Sequence, residues 1–184
     1  MPLTRRECLG VLATAAVGAS VRTDAAVQNT RSAAKPMAGA FMILHTPFTE
    51  SKAVDWDDLV REVEFVDRGG AQGIVWPQGS SGVATLTREE RLRGMEVLAK
   101  AVQGKKTALV LGVQGKNIEE MLDYSRRAEA LAPDAVIAMP PTEASSMEDY
   151  KKYFHALAGV TKRPVILQTS GGARDLTPTT ELIH

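Results

Sequence analysis

The sequence contains few of the residues from which metal and disulfide sites are built. Its 184 residues include one cysteine, Cys8, so neither a disulfide framework nor a cysteine-based zinc site can form within the chain. The three histidines, His45, His155 and His184, lack metal-ligand spacing, and no metal is predicted. A structural role is favoured for His45, which stays a candidate acid or base because it ends an apolar stretch.

An excess of charge of either sign is also absent. The sequence balances 22 Lys and Arg against 22 Asp and Glu, and 5% of its residues are aromatic. Nucleic-acid binding usually requires a basic surface or aromatic stacking platforms, so no nucleic-acid partner is predicted. The segment GVQGKN lacks the third glycine of a dinucleotide-binding fingerprint, and no P-loop motif occurs. No cofactor is therefore predicted.

The first twenty residues are predicted to be an export signal. A basic start precedes an apolar stretch at residues 8–19, which is too short to span a membrane as a helix. TRRxxL at residues 4–9 resembles the twin-arginine signal, so we expect export to the periplasm or the medium, with no membrane attachment after signal removal. The alternative is an uncleaved N-terminus that carries two arginines by chance. Residues 21–38 are polar and alanine-rich, and are predicted to be a linker.

Residues 39–184 alternate short apolar runs with segments of helical periodicity. The runs are continuously apolar, as expected of parallel strands covered on both faces. They occupy residues 40–44, 73–76, 107–113, 135–139 and 165–167. Each is followed by a residue suited to cap a helix, namely Asp55, Thr87, Asn117, Ser146 and Thr177. The pattern predicts five βα units.

Two α/β architectures are compatible with five βα units. One is a doubly wound parallel sheet, and the other is the first five units of a TIM (β/α)8 barrel, which typically needs about 250 residues. Composition does not distinguish them. Because the sequence stops within the fifth predicted helix, we favour the barrel and expect residues 39–184 to form a partial barrel domain.

Ligands bind at the carboxyl ends of the strands in both architectures. The second predicted strand ends at the GSSG loop, which consists of Gly79, Ser80, Ser81 and Gly82. Glycines let a backbone turn sharply and approach a ligand, while N–H groups and two hydroxyls can donate to a small carboxylate. The alternative is an ordinary polar turn. These four residues are the candidate substrate-binding residues.

The surroundings of the GSSG loop resemble one enzyme family. GSSGVATLTREERLR at residues 79–93, LGVQGKN at residues 111–117 and a fourth run ending in Pro-Pro follow one another as in the dihydrodipicolinate synthase and N-acetylneuraminate lyase family. The first unit, with Thr46-Pro47-Phe48, matches as well. The resemblance covers about residues 39–167.

The resemblance implies a TIM barrel, usually tetrameric, that performs class I aldolase chemistry. In the family, a lysine forms a Schiff base with pyruvate or another 2-oxo acid, and the imine serves as an electron sink. If the family's roles are transferred to the matching positions of this sequence, Ser80 and Ser81 bind the carboxylate together with the backbone of Gly79 and Gly82. Ser81 would also belong to the proton relay. We thus expect a 2-oxo acid as partner, no cofactor and a homo-oligomer.

Several positions depart from the family pattern. The Schiff-base lysine belongs to strand six, which would begin beyond His184. The relay tyrosine aligns with Thr142, a doubtful catalytic candidate because an aliphatic hydroxyl is much less acidic than a phenol. Glu143 could substitute, although a solvated loop carboxylate is the favoured interpretation. Val83 replaces a family glutamate, and residues 168–169 replace a tyrosine-asparagine pair.

Three hypotheses follow. The first is an exported, divergent aldolase or lyase acting on a 2-oxo acid, with its lysine beyond the present chain. The second is a catalytically silent carboxylate-binding or scaffold protein of the same fold. The third is a complete doubly wound domain. Turnover distinguishes the first from the second, and strand order distinguishes both from the third.

Overall fold

The computed structural model describes residues 35–173, Leu176 and residues 178–182. The export signal predicted for residues 1–20, and the predicted linker up to residue 34, lie outside the described residues. So do Thr177 and His184.

Five parallel strands follow one another across the sheet in chain order. They are β1 (Phe41–Ile43), β2 (Gly73–Trp76), β3 (Ala108–Gly112), β4 (Ala135–Ala138) and β5 (Val165–Leu167). Each pairs in parallel with the next, which gives the order β1-β2-β3-β4-β5. A doubly wound sheet reverses its order at a switch point, whereas a barrel adds strands in one direction. The doubly wound alternative is therefore wrong, and the predicted barrel units are confirmed.

Four helices connect the strands, and each begins where the sequence predicts. They are α1 (Trp56–Arg68), α2 (Arg88–Ala101), α3 (Ile118–Leu131) and α4 (Met147–Val160). The predicted caps each accept a hydrogen bond from a backbone N–H in the first turn, and they are Asp55, Thr87, Asn117 and Ser146. Such a cap satisfies a donor that the helix leaves unpaired. Beyond β5, the described residues include a short 3-10 turn at Thr180–Leu182.

The sheet is covered by apolar side chains on both faces. Because side chains alternate along a strand, one set packs against the helices and forms the outer cluster. Its strand members are Ile74, Trp76, Leu109, Leu111, Val136 and Ala138. The inner cluster comprises Val75, Val110, Ala135 and Ile137, with Met37, Phe41 and Ile166 packed against it. The inner cluster corresponds to the interior of a barrel, and its burial explains the continuous apolar runs.

The segment before β1 crosses the amino ends of the strands. The Lys35 backbone N–H donates to the Asp134 carboxylate over 2.8 Å, and the Lys35 ammonium donates to the Thr107 carbonyl over 2.6 Å. Asp134 and Thr107 immediately precede β4 and β3. Residues before β1 thus cover polar groups at the amino ends of β3 and β4.

Close packing between β2 and α2 depends on the absence of a side chain at Gly94. A Cβ at Gly94 would overlap the Trp76 ring, whose side chain is fully buried. Helical glycine ordinarily weakens a helix relative to alanine. At Gly94, the space required by the indole outweighs that cost.

We predict opposite effects for two glycine-to-alanine changes. Gly94→Ala should lower the free energy of unfolding by about 1–3 kcal/mol because it overpacks the core. Gly159→Ala in α4 should raise it by about 0.5–1 kcal/mol, since a Cβ there has no neighbour within 4 Å. Urea unfolding of the two variants would measure both effects. Equal destabilisation by the two changes would contradict the packing described for Trp76.

Candidate functional site at the carboxyl ends of the strands

The GSSG loop begins with one turn of 3-10 helix directly after β2. The turn spans Gly79–Ser81, and Gly82 follows it in the left-handed region with φ of 71°. The Ser81 N–H donates to the Gln78 carbonyl over 2.9 Å, and the Gly82 N–H donates to the Gly79 carbonyl over 3.0 Å. A side chain at Gly82 would be strained in this conformation. The loop therefore needs glycine at its end.

Ser81 is buried, and its hydroxyl is hydrogen-bonded to other groups of the protein. Only 2% of the residue is exposed. Its hydroxyl donates to the Leu44 carbonyl over 2.6 Å and accepts from the Gln78 N–H over 3.0 Å. The hydroxyl proton is thus unavailable to a ligand while these bonds persist. The roles in carboxylate binding and proton relay that the resemblance implied for Ser81 remain predictions, and this geometry does not favour them.

A chain of buried hydrogen bonds extends from Ser81 to β2. The Thr46 hydroxyl donates to the Ser81 carbonyl over 2.6 Å and accepts from the Trp76 indole N–H over 3.0 Å. Thr46 is 8% exposed, and the Trp76 side chain is fully buried. These bonds tie the GSSG loop to the end of β1. The sequence resemblance included Thr46 without indicating this role.

Ser80 faces the other way and leaves its donors open. The residue is exposed, and within the described chain its hydroxyl has no hydrogen-bond partner. The N–H groups of Gly79 and Ser80 likewise have no partner among the residues the structure describes. A Cβ at Gly79 would meet nothing within 4 Å, which shows open space beside the turn. Three uncommitted donors therefore lie on two consecutive residues.

His45 is the only titratable side chain in direct hydrogen-bond contact with the GSSG loop among the residues described. Its Nδ1 lies 3.0 Å from the Ser80 carbonyl oxygen. A carbonyl only accepts, so this contact requires the proton to be on Nδ1. The contact brings the candidate acid or base noted in the sequence next to the open donors of Ser80.

A buried amide pair supports the loop from β3. The Gln78 Nε2 donates to the Gln114 Oε1 over 3.0 Å, and the Gln114 Nε2 donates to the Pro77 carbonyl over 2.8 Å. A Cβ at Gly112 would overlap the same carbonyl, so glycine is required there. Neither glutamine was assigned a role from the sequence. The signal available was an amide side chain shortly after an apolar run.

Arg91 extends this polar network from α2. Its guanidinium donates to the Gln114 carbonyl over 2.7 Å and lies 3.6 Å from the centroid of the Tyr124 ring. The nearest carboxylate contact is to Glu120 at 3.9 Å. Burial lowers the pKa of the Arg91 guanidinium. Carbonyl and aromatic groups, more than a close ion pair, hold this buried cation.

Thr142 lies on a cleft at the same end of the sheet. The cleft has a volume of about 470 Å³, and its lining includes Arg91, Gln114, Thr142 and Gly172. Thr142 is exposed, and no hydrogen bond joins it to Ser81 within the described residues. Glu143 accepts from the Asn117 amide over 2.9 Å and lies 3.7 Å from the Lys116 ammonium. Thr142 and Glu143 both lie in the loop after β4, and within the described residues neither is hydrogen-bonded to the GSSG loop.

Two tyrosines of α4 hold other strand-end loops in place. The Tyr153 hydroxyl accepts from the Gly115 N–H over 2.8 Å, after β3. The Tyr150 hydroxyl accepts from the Ala173 N–H over 3.1 Å and donates to the Leu176 carbonyl over 3.0 Å, after β5. Burial raises the pKa of the Tyr153 phenol. These two phenols are buried and are hydrogen-bonded to backbone groups of the two loops.

The described residues show neither a metal cluster nor a membrane span. No group of three or more His, Cys, Asp or Glu side chains in that part of the chain could hold a metal ion. No helix there is long and apolar enough to cross a membrane.

Sequential parallel strands with polar groups gathered at their carboxyl ends define a protein of the (β/α)8-barrel class. The sequence profile of the Dihydrodipicolinate synthetase family matches residues 36–180, and the chain belongs to that family. The family resemblance found in the sequence is thereby confirmed.

Relatives and solved structures agree with this membership. A 4-hydroxy-tetrahydrodipicolinate synthase from Pelobacter propionicus is 31% identical over 136 residues, covering 73% of this chain and 46% of the relative. A dihydrodipicolinate synthase structure from Agrobacterium tumefaciens has 25% identity and a TM-score of 0.71, covering 78% of this chain and 48% of that chain. The 4-hydroxy-tetrahydrodipicolinate synthase of Methylacidiphilum fumariolicum shares the fold, with a TM-score of 0.74, 21% identity and coverage of 80% and 49%. The chain thus spans about half the length of the relatives it matches.

The two serines of the GSSG loop should differ sharply in their effect on stability. Ser81→Ala removes the acceptor of the Gln78 N–H and the donor to the Leu44 carbonyl, which should cost about 1–3 kcal/mol of unfolding free energy. Ser80→Ala should change it by less than about 0.5 kcal/mol, because that hydroxyl is exposed and unpaired. Urea unfolding midpoints would compare them. A costly Ser80→Ala with a neutral Ser81→Ala would refute the orientation of the loop.

Proposed function

We propose that the protein is a carbon–carbon lyase or aldolase that acts on pyruvate or a related 2-oxo acid through a Schiff base. The GSSG loop holds the carboxylate of this acid. The observation that carries the proposal is the set of three open donors on Gly79 and Ser80 at the carboxyl end of β2. Family membership supports the reaction class.

The donors match the needs of a carboxylate. A carboxylate only accepts hydrogen bonds and offers about four lone-pair sites, so the Gly79 N–H, the Ser80 N–H and the Ser80 hydroxyl could all bind one ligand. Hydrogen bonds to an ionised acceptor are roughly twice as strong as neutral ones. Because Ser81 is already paired, its contribution is to hold the loop in shape while Ser80 makes the contact.

The Schiff-base lysine is proposed to lie beyond residue 184. None of the described strands carries a lysine. Lys35 binds the Thr107 carbonyl at the opposite end of the sheet, and Lys116 pairs with Glu143 on the surface. A nucleophilic lysine needs a desolvated site that lowers its pKa, which neither position provides.

A catalytically silent carboxylate-binding protein of the same fold is the second candidate. The observation in its favour is that Thr142 stands where the family has its relay tyrosine, while Tyr150 and Tyr153 are committed to backbone groups. Such a protein would keep the carboxylate contacts of the GSSG loop and lack turnover.

Export and self-association accompany the proposal. TRRxxL at residues 4–9 supports passage through the twin-arginine route to the periplasm or the medium. The tetramers usual in the family support a homo-oligomer. Neither property is needed for the carboxylate contact at the GSSG loop.

Loss of the Ser80 hydroxyl should weaken pyruvate binding. Removing one hydrogen bond to a charged ligand costs about 1.5–3 kcal/mol, so Ser80→Ala should raise the Kd for pyruvate by about 10- to 100-fold. Isothermal titration calorimetry on the 184-residue chain would measure it. The matched control is Ser51→Ala, which removes an exposed hydroxyl paired with Thr49 and should leave the Kd unchanged. Equal affinity in the Ser80→Ala variant would argue against this carboxylate site.

Borohydride trapping separates the two candidate functions. A protein extended through the sixth strand should form a reduced adduct with pyruvate, because borohydride fixes an imine as a stable amine. Mass spectrometry of peptides should place the label on a lysine beyond residue 184. The 184-residue chain alone should remain unlabelled. Failure of the extended protein to form an adduct at saturating pyruvate would favour the silent binding protein.

A further inference from the structure

His45 lies on the inner side of the barrel mouth. Phe41 packs against the inner cluster, whereas Leu44 belongs to the core on the helix side and Thr46 bonds to Trp76 there. Alternation along an extended chain therefore directs the side chain of His45 inward. Its ring meets the Ser80 carbonyl at 3.0 Å, next to the open donors of the GSSG loop.

The contact with Ser80 fixes the proton arrangement of a neutral imidazole. Nδ1 carries the proton because the carbonyl can only accept, so Nε2 keeps its lone pair. Within the described residues, Nε2 has no hydrogen-bond partner, and His45 is exposed. The Ser80 carbonyl thus orients the His45 ring, whose Nε2 can accept a proton. The hydroxyl and the N–H of the same residue, Ser80, are open to a ligand.

Three other proton-transfer groups at this end of the sheet are committed elsewhere, and Thr142 offers only a weakly acidic aliphatic hydroxyl. The Ser81 proton is donated to Leu44, and the Tyr153 hydroxyl is held by Gly115. Glu143 is engaged by Lys116 and Asn117. His45 is left as the side chain that can both accept and donate a proton there, because its two ring nitrogens can play different roles.

We propose that His45 is the catalytic acid and base of this site. The proposal rests on the proposed function, because it needs a 2-oxo acid held by the GSSG loop. Nε2 takes a proton from the carbon next to the oxo group, so that a C–H bond breaks and an N–H bond forms. The electron pair forms a C=C bond, and the π electrons of the C=O or C=N bond move to oxygen or nitrogen. The imidazolium later returns its proton to carbon or to the product oxygen.

Nuclear magnetic resonance can test whether His45 meets the ligand. The 184-residue chain, labelled with 13C at histidine Cε1, is titrated with pyruvate. The His45 signal should shift and saturate together with the amide signals of Gly79 and Ser80. His155, exposed on α4, serves as the internal control and should not move. Movement of the loop amides without His45 would overturn the role of His45 alone, whereas no movement of either would overturn the proposed function as well.

Proton transfer itself is tested by exchange of the pyruvate methyl hydrogens in D2O, using the protein extended through the sixth strand. The extended protein should accelerate exchange over buffer, and His45→Asn should reduce the acceleration at least about tenfold. Asparagine can keep a donor toward the Ser80 carbonyl but lacks the second ring nitrogen, so the Kd for pyruvate should stay unchanged. His155→Asn is the matched control. Exchange by His45→Asn at the unaltered rate, or no acceleration by the extended protein with pyruvate bound, would overturn the proposal.

Discussion

The arrangement of the strand-end site depends on one buried serine. The Ser81 hydroxyl joins the Leu44 carbonyl to the Gln78 N–H, and so fastens the loop after β2 to the end of β1. The Thr46 hydroxyl and the Trp76 indole extend the same connection into the core. Buried polar groups without partners are costly, so these residues hold one another in a single arrangement. The exposed face of Ser80 is a consequence of that arrangement.

The two neighbouring serines thus differ in burial and in hydrogen bonding. Turn geometry directs one hydroxyl into the protein and leaves the other outside. The Ser81 hydroxyl already donates its proton to the Leu44 carbonyl, whereas the hydroxyl and the N–H of Ser80 have no partner within the described residues. The site therefore offers neutral donors, while the buried cation Arg91 is held separately by Gln114 and the Tyr124 ring. Electrostatic attraction by a nearby arginine is not part of the proposed carboxylate contact.

The fold was largely predictable because its signals are local. Continuous apolar runs identified the strands within one or two residues, and side-chain caps such as Asp55 and Ser146 identified the starts of the helices. The site was predictable only as a location. The sequence indicated the GSSG loop, yet it gave both serines the same carboxylate-binding role and assigned the additional relay role to Ser81. Gln78, Gln114 and Arg91 received no role, since nothing in their sequence spacing shows that three separate segments meet.

The sequence by itself determined which segments become strands and helices, where each helix begins and which loop carries the paired hydroxyls. These properties follow from apolar periodicity, capping and backbone freedom, all of which act over a few residues. Only the tertiary structure decided the strand order, the pairing of the Ser81 hydroxyl and the contact between His45 and Ser80. The two contacts join residues more than thirty positions apart in sequence, and they arise only when neighbouring parallel strands bring their carboxyl ends together.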